Sequence, residues 1–198
     1  MTRTPRGQAR LAILGATLQL VAANGVDSVT HRRVAEIAGV SPGSTTHHFD
    51  TREDLLRGAF RHYLHLGDRL LTTINEDVAR AISDPAGRVV ACLSELLRRE
   101  FTDERLVRAE YEMMLFASGD PELSADLRRW EARWASSMAV NLEVAGAARP
   151  VEAARALINL VRGFELERLL DPLLQIDQFS PRANALLSAY LAAPAAPE

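Results

Sequence analysis

Residues 29–56 read VTHRRVAEIAGVSPGSTTHHFDTREDLL, and two short helices stand out in them. Thr30 is a good N-cap for a helix over residues 31–38, because its side-chain oxygen can accept from the orphan N–H groups of the first turn. Ser41 can cap a second helix whose first position is Pro42, where a missing N–H costs nothing. Between them lies Ala38-Gly39-Val40. A turn of this length containing Gly, joining two helices too short to be stable alone, is the helix-turn-helix signature. Thr51 opens a further helix, with Asp54 three residues on in a variant of the capping box.

The same stretch carries the candidate chemistry. Arg32 and Arg33 fall in the first turn of a helix, where cations oppose the macrodipole, so something anionic should sit nearby. A DNA phosphate there would satisfy the free N–H groups and both guanidinium groups together. Solvation, or pairing with Glu36, would explain the two charges equally well. In the next helix Pro42, Ser44, Thr45, Thr46, His47 and His48 include almost nothing apolar, so its exposed face must meet something polar. Gly43 removes a side chain where a DNA backbone or base edge would approach most closely. His47 and His48 are adjacent and point about 100° apart, which is no chelating pair. His62 and His65 share a face, but no third ligand is near in sequence, and they read as a solvated or half-buried pair.

Outward from this stretch the chain is helical almost from end to end. A first helix spans about 7–24, with Leu11, Leu14, Leu18 and Val21 on one face and Gly25 as its stop. Further helices are expected near 51–82, 86–101, 103–118, 121–146, 151–170 and 181–192, divided by Pro85, Gly119-Asp120-Pro121, Gly146 to Pro150, Pro172 and Pro181. The fold class is therefore all-α. A three-helix helix-turn-helix domain is expected over residues 1–50, and a larger helical domain over 51–198. The tail from Ala192 to Glu198 is expected to fray.

Composition narrows the class. The 198 residues are 47% hydrophobic and 25% charged, as in soluble globular proteins, and no apolar run approaches spanning length. With no evident cleavage site after the N-terminal region, a cytoplasmic protein away from membranes is expected. The net charge of −3 is unevenly spread: seven Arg face five acidic residues in 1–60, and sixteen face twenty-one in 61–198. All 23 cations are Arg, a residue suited to phosphate. The single Cys92 rules out an intrachain disulfide or a multi-cysteine zinc site and reads as core. Phosphate loops, nucleophile elbows and zinc-helix motifs are absent, and Glu110/Glu112 and Glu165/Glu167 are each spaced to diverge on a helix, so neither enzymatic activity nor a cofactor is expected.

In the larger domain Leu123, Leu127, Trp130, Trp134 and Met138 form a stripe at helical spacing, expected to be faced by Tyr111, Met114 and Phe164. Two readings stay open: ordinary core, or the wall of an apolar effector pocket in which Met supplies adaptable contact and Trp a flat surface. Near the C-terminus, Ala154, Leu157, Leu160, Val161 and Phe164, then Leu186, Leu187, Tyr190 and Leu191, suit a two-fold four-helix interface.

Residues 29–56 resemble the DNA-binding domain of the TetR family of transcriptional regulators. Thr30, Arg32, Val34-Ala35, Ala38 to Ser41, Gly43, His48-Phe49 and Thr51 to Glu53 all fall where that family has such residues. The resemblance is close over the first quarter of the chain; beyond it the match is in kind, an Ala- and Leu-rich helical domain of the right length. It implies a homodimeric regulator, commonly a repressor, bound to a near-palindromic double-stranded DNA operator and released by a small apolar or amphipathic effector. Thr30, Arg32, Arg33, the run from Ser41 to His48, and Arg52 would then contact DNA. One departure stands out: Thr46 occupies a position where the family usually has a phosphate-contacting Tyr. That departure and the low net charge leave room for an alternative, an interaction protein that kept the fold and lost DNA affinity.

Overall fold

The computed structural model of the chain describes residues 6–192, so the expected fraying tail lies outside the described residues except for Ala192, which ends a helix. The described residues form nine α-helices and no strand. They are α1 (Arg6–Asn24), α2 (His31–Ala38), α3 (Pro42–His48), α4 (Arg52–Ala81), α5 (Pro85–Glu100), α6 (Glu104–Ser118), α7 (Pro121–Val144), α8 (Pro150–Leu170) and α9 (Phe179–Ala192). Short 3₁₀ turns at Val26–Ser28 and Ile176–Gln178 complete the order. None of these helices is long and apolar enough to cross a membrane. The chain divides into two compact units: Met1–Gly67 with Arg105–Leu127, and Asp68–Glu104 with Arg128–Glu198.

In the first unit, α1 buries Ile13, Leu14, Ala16, Thr17, Leu20 and Val21. Val34 and Ala35 of α2, Phe49, and Leu55, Leu56, Phe60 and Leu64 of α4 are buried with them. Each Val, Leu, Ile or Phe among them contributes about 1.5–3 kcal/mol when fully withdrawn from water. The face expected for α1 needs correction, because Leu11 is 54% exposed. The buried stripe is centred on Ile13, Thr17 and Leu20, and at about 100° per residue Leu11 lies on the far side of the helix. Thr17 is tolerated inside because its hydroxyl donates to the Ile13 carbonyl at 2.8 Å.

The two helices of the motif end as their sequences require. The Thr30 side chain accepts from the Arg33 N–H at 3.3 Å. Gly39 stops α2 in the left-handed region at φ 66°, where Gly carries no Cβ penalty, and the Val40 N–H closes the turn on the Ala35 carbonyl at 3.1 Å. Thr51 and Asp54 form the reciprocal box at the head of α4: the Asp54 N–H donates to Thr51 Oγ1 at 3.0 Å, and the Thr51 N–H to Asp54 Oδ2 at 3.3 Å.

The second unit is built on one apolar cluster. Val89, Leu93 and Leu97 of α5, Leu142 of α7, Leu157, Val161 and Phe164 of α8, and Phe179 and Leu187 of α9 are buried together. Cys92 is half-buried rather than plain core, and its thiol donates to Asn75 Oδ1 at 3.0 Å. Burial pushes this thiol up to about 11, which keeps it protonated and unreactive at neutral pH.

Candidate nucleic-acid interface

α2 and α3 pack on each other and on α1, and this packing sorts the candidate residues. Thr30, Arg32, Ser41, Pro42, Gly43, Thr46 and His47 are exposed, and Ser44 and His48 are half-buried. Ser41 stands at the N-cap of α3 in an extended conformation, yet its hydroxyl makes no capping bond. A Cβ added at Gly43 would have nothing within 4 Å, so packing inside the protein does not call for Gly there. The His47 and His48 rings lie 5.3 Å apart and tilted by 59°. Their adjacent positions keep them from converging on one ligand.

Four candidates are engaged with backbone carbonyls within the protein. Thr45 is fully buried, with its hydroxyl donating to the Pro42 carbonyl at 2.8 Å, so it holds the first turn of α3 and offers no side chain to a partner. Arg52 reaches back to the first 3₁₀ turn, donating to the Val29 carbonyl at 3.1 Å and the Val26 carbonyl at 2.8 Å. Arg33 reaches back over a shorter stretch, to the Ser28 carbonyl at 3.0 Å and Asn24 Oδ1 at 3.2 Å. Thr46 donates to the Gly43 carbonyl at 3.2 Å, which leaves its oxygen as an acceptor unless the hydroxyl turns.

Arg32 pairs with Glu36 at 3.2 Å, and both side chains are largely exposed. An exposed i,i+4 pair contributes about 0.3–0.5 kcal/mol, little enough for a phosphate to displace Glu36.

Sequence reasoning missed a contact that braces the first unit: the Val26 N–H donates to Glu112 Oε2 at 2.6 Å, tying α6 to the connection between α1 and α2. No local spacing signals a bond between residues 86 apart.

The aromatic stripe of the larger domain is resolved residue by residue. Trp130 and Trp134 contact each other with ring centroids 5.5 Å apart, and Trp130 is buried with its indole Nε1 lacking a partner. Met138 lines a cavity of about 190 Å³ with Asn75, Cys92, Ser137 and Asn141. Phe164 is core, set edge-on to Phe179 at 5.5 Å and capped by the Arg182 guanidinium. Tyr111 and Met114, both half-buried, belong to the first unit.

Comparison with known proteins matches both parts of the chain. The family described as "Bacterial regulatory proteins, tetR family" is matched over residues 13–59, and "Tetracyclin repressor-like, C-terminal domain" over residues 84–193. The chain is 28% identical over 131 residues to the HTH-type transcriptional regulator BetI of Ectopseudomonas mendocina, a stretch that is 65% of this chain and 55% of that relative's length. A transcriptional regulator from Rhodococcus sp. Rha1 has the same fold, with a TM-score of 0.78 at 24% identity over 92% of this chain and 95% of that one. A further similar structure is the multidrug binding protein EbrR complexed with proflavin, with a TM-score of 0.60 at 27% identity over 90% of this chain and 99% of the other.

Proposed function

Because this chain belongs to the TetR family of bacterial transcriptional regulators, we propose that it is a ligand-responsive repressor, acting in the cytoplasm as a homodimer on a near-palindromic operator. The observation that carries the DNA-reading role is the outer face of α3. Gly43 has open space where a side chain would stand, and Ser41 has a hydroxyl that caps nothing. A helix that spends so little of its surface on packing suits insertion into the major groove, with Thr46 and His47 toward the bases and Ser41, Thr30 and Arg32 toward phosphates. Arg33, Thr45 and Arg52 contribute by holding α2, α3 and the start of α4 in place.

Reading two half-sites one turn of DNA apart, about 34–36 Å, requires two copies. The helices α8 and α9 suit the two-fold interface, since α8 leaves Leu166 and Leu170 exposed and presents Gly163 with nothing around it. The effector site is assigned to α7, around Trp130, Trp134 and Met138. The orphaned indole N–H of Trp130 and the small cavity beside Met138 support a ligand with an apolar ring and at least one acceptor. A complex of the similar EbrR with proflavin, a flat aromatic molecule, favours the same ligand class. The helix that begins at Arg52 continues to Ala81, so a shift of its far end could move the DNA-reading end.

The test is fluorescence anisotropy of the purified chain with labelled DNA from its own upstream region, a scrambled competitor and a salt series. Sequence-selective binding that weakens steeply between about 50 and 200 mM salt is expected. Binding no better than to scrambled DNA, and insensitive to salt, would instead favour a protein-interaction role for the fold.

A further inference from the structure

In the first unit, α1, the end of α3 and the first half of α4 line an open cleft of about 630 Å³, a size suited to a small organic molecule. Its apolar floor is Leu11, Leu14, Phe49 and the bare backbone at Gly58. Gly58 is required there, because a Cβ would meet the Phe49 ring at 2.7 Å. Leu11, left out of the core, is thus part of a concave surface.

The charges around this floor are unevenly partnered. Arg57 and Arg61 are taken up by carboxylates: Arg57 donates to Asp120 at 2.6 Å and lies 3.9 Å from Asp54, and Arg61 donates to Asp126 at 2.9 Å and Glu122 at 2.8 Å. Asp54 is occupied by Thr51 in the α4 cap. That leaves Arg10, His48, His62 and His65. Arg10 has the face of the Phe49 ring at 5.4 Å, and among the described residues no carboxylate lies within pairing distance of it. His62 is held below its ordinary value by burial first and then by its neighbours His65 and Arg10.

We infer that this cleft is a binding site for a small organic anion, its carboxylate held by Arg10 with His62 and His65 and its apolar body resting on Leu11, Leu14 and Phe49. The site is separate from the effector site proposed on α7. His48 is the last residue of α3, so an occupant touches the helix assigned to DNA, and that consequence alone rests on the regulatory reading.

The experiment is a ¹H–¹³C NMR titration of the histidine ring signals in the full chain with benzoate, with inorganic phosphate and chloride as controls at matched ionic strength. Saturable shifts at His62 and His65 with benzoate are expected, with the His62 titration midpoint moving upward when the site is filled. Loss of the guanidinium in Arg10→Gln should weaken benzoate at least about tenfold, as for one charge-assisted contact. His65→Gln, which changes a different element, should weaken it as well, with circular dichroism confirming that both variants fold. Equal shifts with chloride or phosphate, or an undiminished response in both variants, would overturn the inference. So would shifts caused by a non-specific DNA duplex but not by benzoate, which would assign these groups to the nucleic-acid backbone. Operator binding is measured separately, so a missing benzoate response leaves the regulatory reading intact.

Discussion

Gly39 and Gly43 stand four residues apart for opposite reasons. Gly39 is required by the chain itself, since its φ of 66° ends α2 in a region where a Cβ is penalised. Gly43 lies inside α3 with open space around it, where Gly lowers helix stability for no internal gain. The two alanine variants should therefore separate. Gly39→Ala is expected to cost about 1 kcal/mol in urea unfolding. Gly43→Ala should stabilise the chain by about 0.5–1 kcal/mol while weakening operator binding, because the added methyl occupies the approach to the DNA. A Gly43→Ala variant that bound its operator at full strength would remove the main support for α3 as the reading helix. The sequence alone made these two Gly residues distinguishable; it could not do so for Thr45 and Arg52. Thr45 looks like its neighbours Thr46 and Ser44, and only the turn of α3 decides that its side chain is the buried one. Arg52 looks like a phosphate ligand until the carbonyls of Val26 and Val29, more than twenty residues earlier, are brought under its guanidinium.

The element boundaries were legible because each helix carries its own stop signals. Pro85, Pro121 and Pro150 open α5, α7 and α8, and Gly25 and Gly39 close α1 and α2. The start of α9 was set at Pro181, but the helix begins at Phe179, because Pro is also tolerated later in the first turn, where its N–H has no partner to lose. Contacts between elements were not legible, and the turn into α7 is an example. Asp120 accepts from the Glu122 N–H at 3.0 Å and the Leu123 N–H at 3.2 Å, and takes Arg57 of α4 on its other oxygen. Burial alone would raise this carboxyl, but the Leu123 N–H, the Arg57 guanidinium and the Glu122 N–H together hold it below its ordinary 3.8. A carboxyl depressed by folding contributes stability that is fully present above its unfolded value and is lost as pH falls through the folded one. Asp120→Asn should therefore melt below the parent protein at pH 6, with the difference closing as the pH falls below 3.8. Thermal melts of both proteins from pH 6 to acid would check this. A gap that stays constant through acid would mean that the charge of Asp120 is not what holds the turn.

At the scale of the whole molecule, the proposed reading helix has seven residues and offers few contacts, so under that proposal tight operator binding would have to come from two copies acting together. The proposal thus places a demand on the second unit, which would have to present a surface for its own copy while keeping its core closed. The core is closed by Leu157, Val161 and Phe164 on one side of α8, while Leu166 and Leu170 of the same helix remain in solvent at 47% and 86% exposure. One helix with apolar residues on both sides is what a two-fold helical interface needs. Leu166→Arg should leave the core untouched, so helix content and the melting of the isolated protomer should hold while the proposed dimer dissociates. Two guanidinium groups would have to be desolvated at once across the symmetry axis. Operator affinity should then fall by about 10²–10⁴, the range that joint binding of two linked sites typically supplies, and binding to a single half-site should be little changed. Analytical ultracentrifugation and anisotropy on full and half operators measure the two effects independently. A dimeric Leu166→Arg protein with full operator affinity would move the interface off this face of α8, whereas a monomer that still bound the full operator tightly would break the link between assembly and DNA reading.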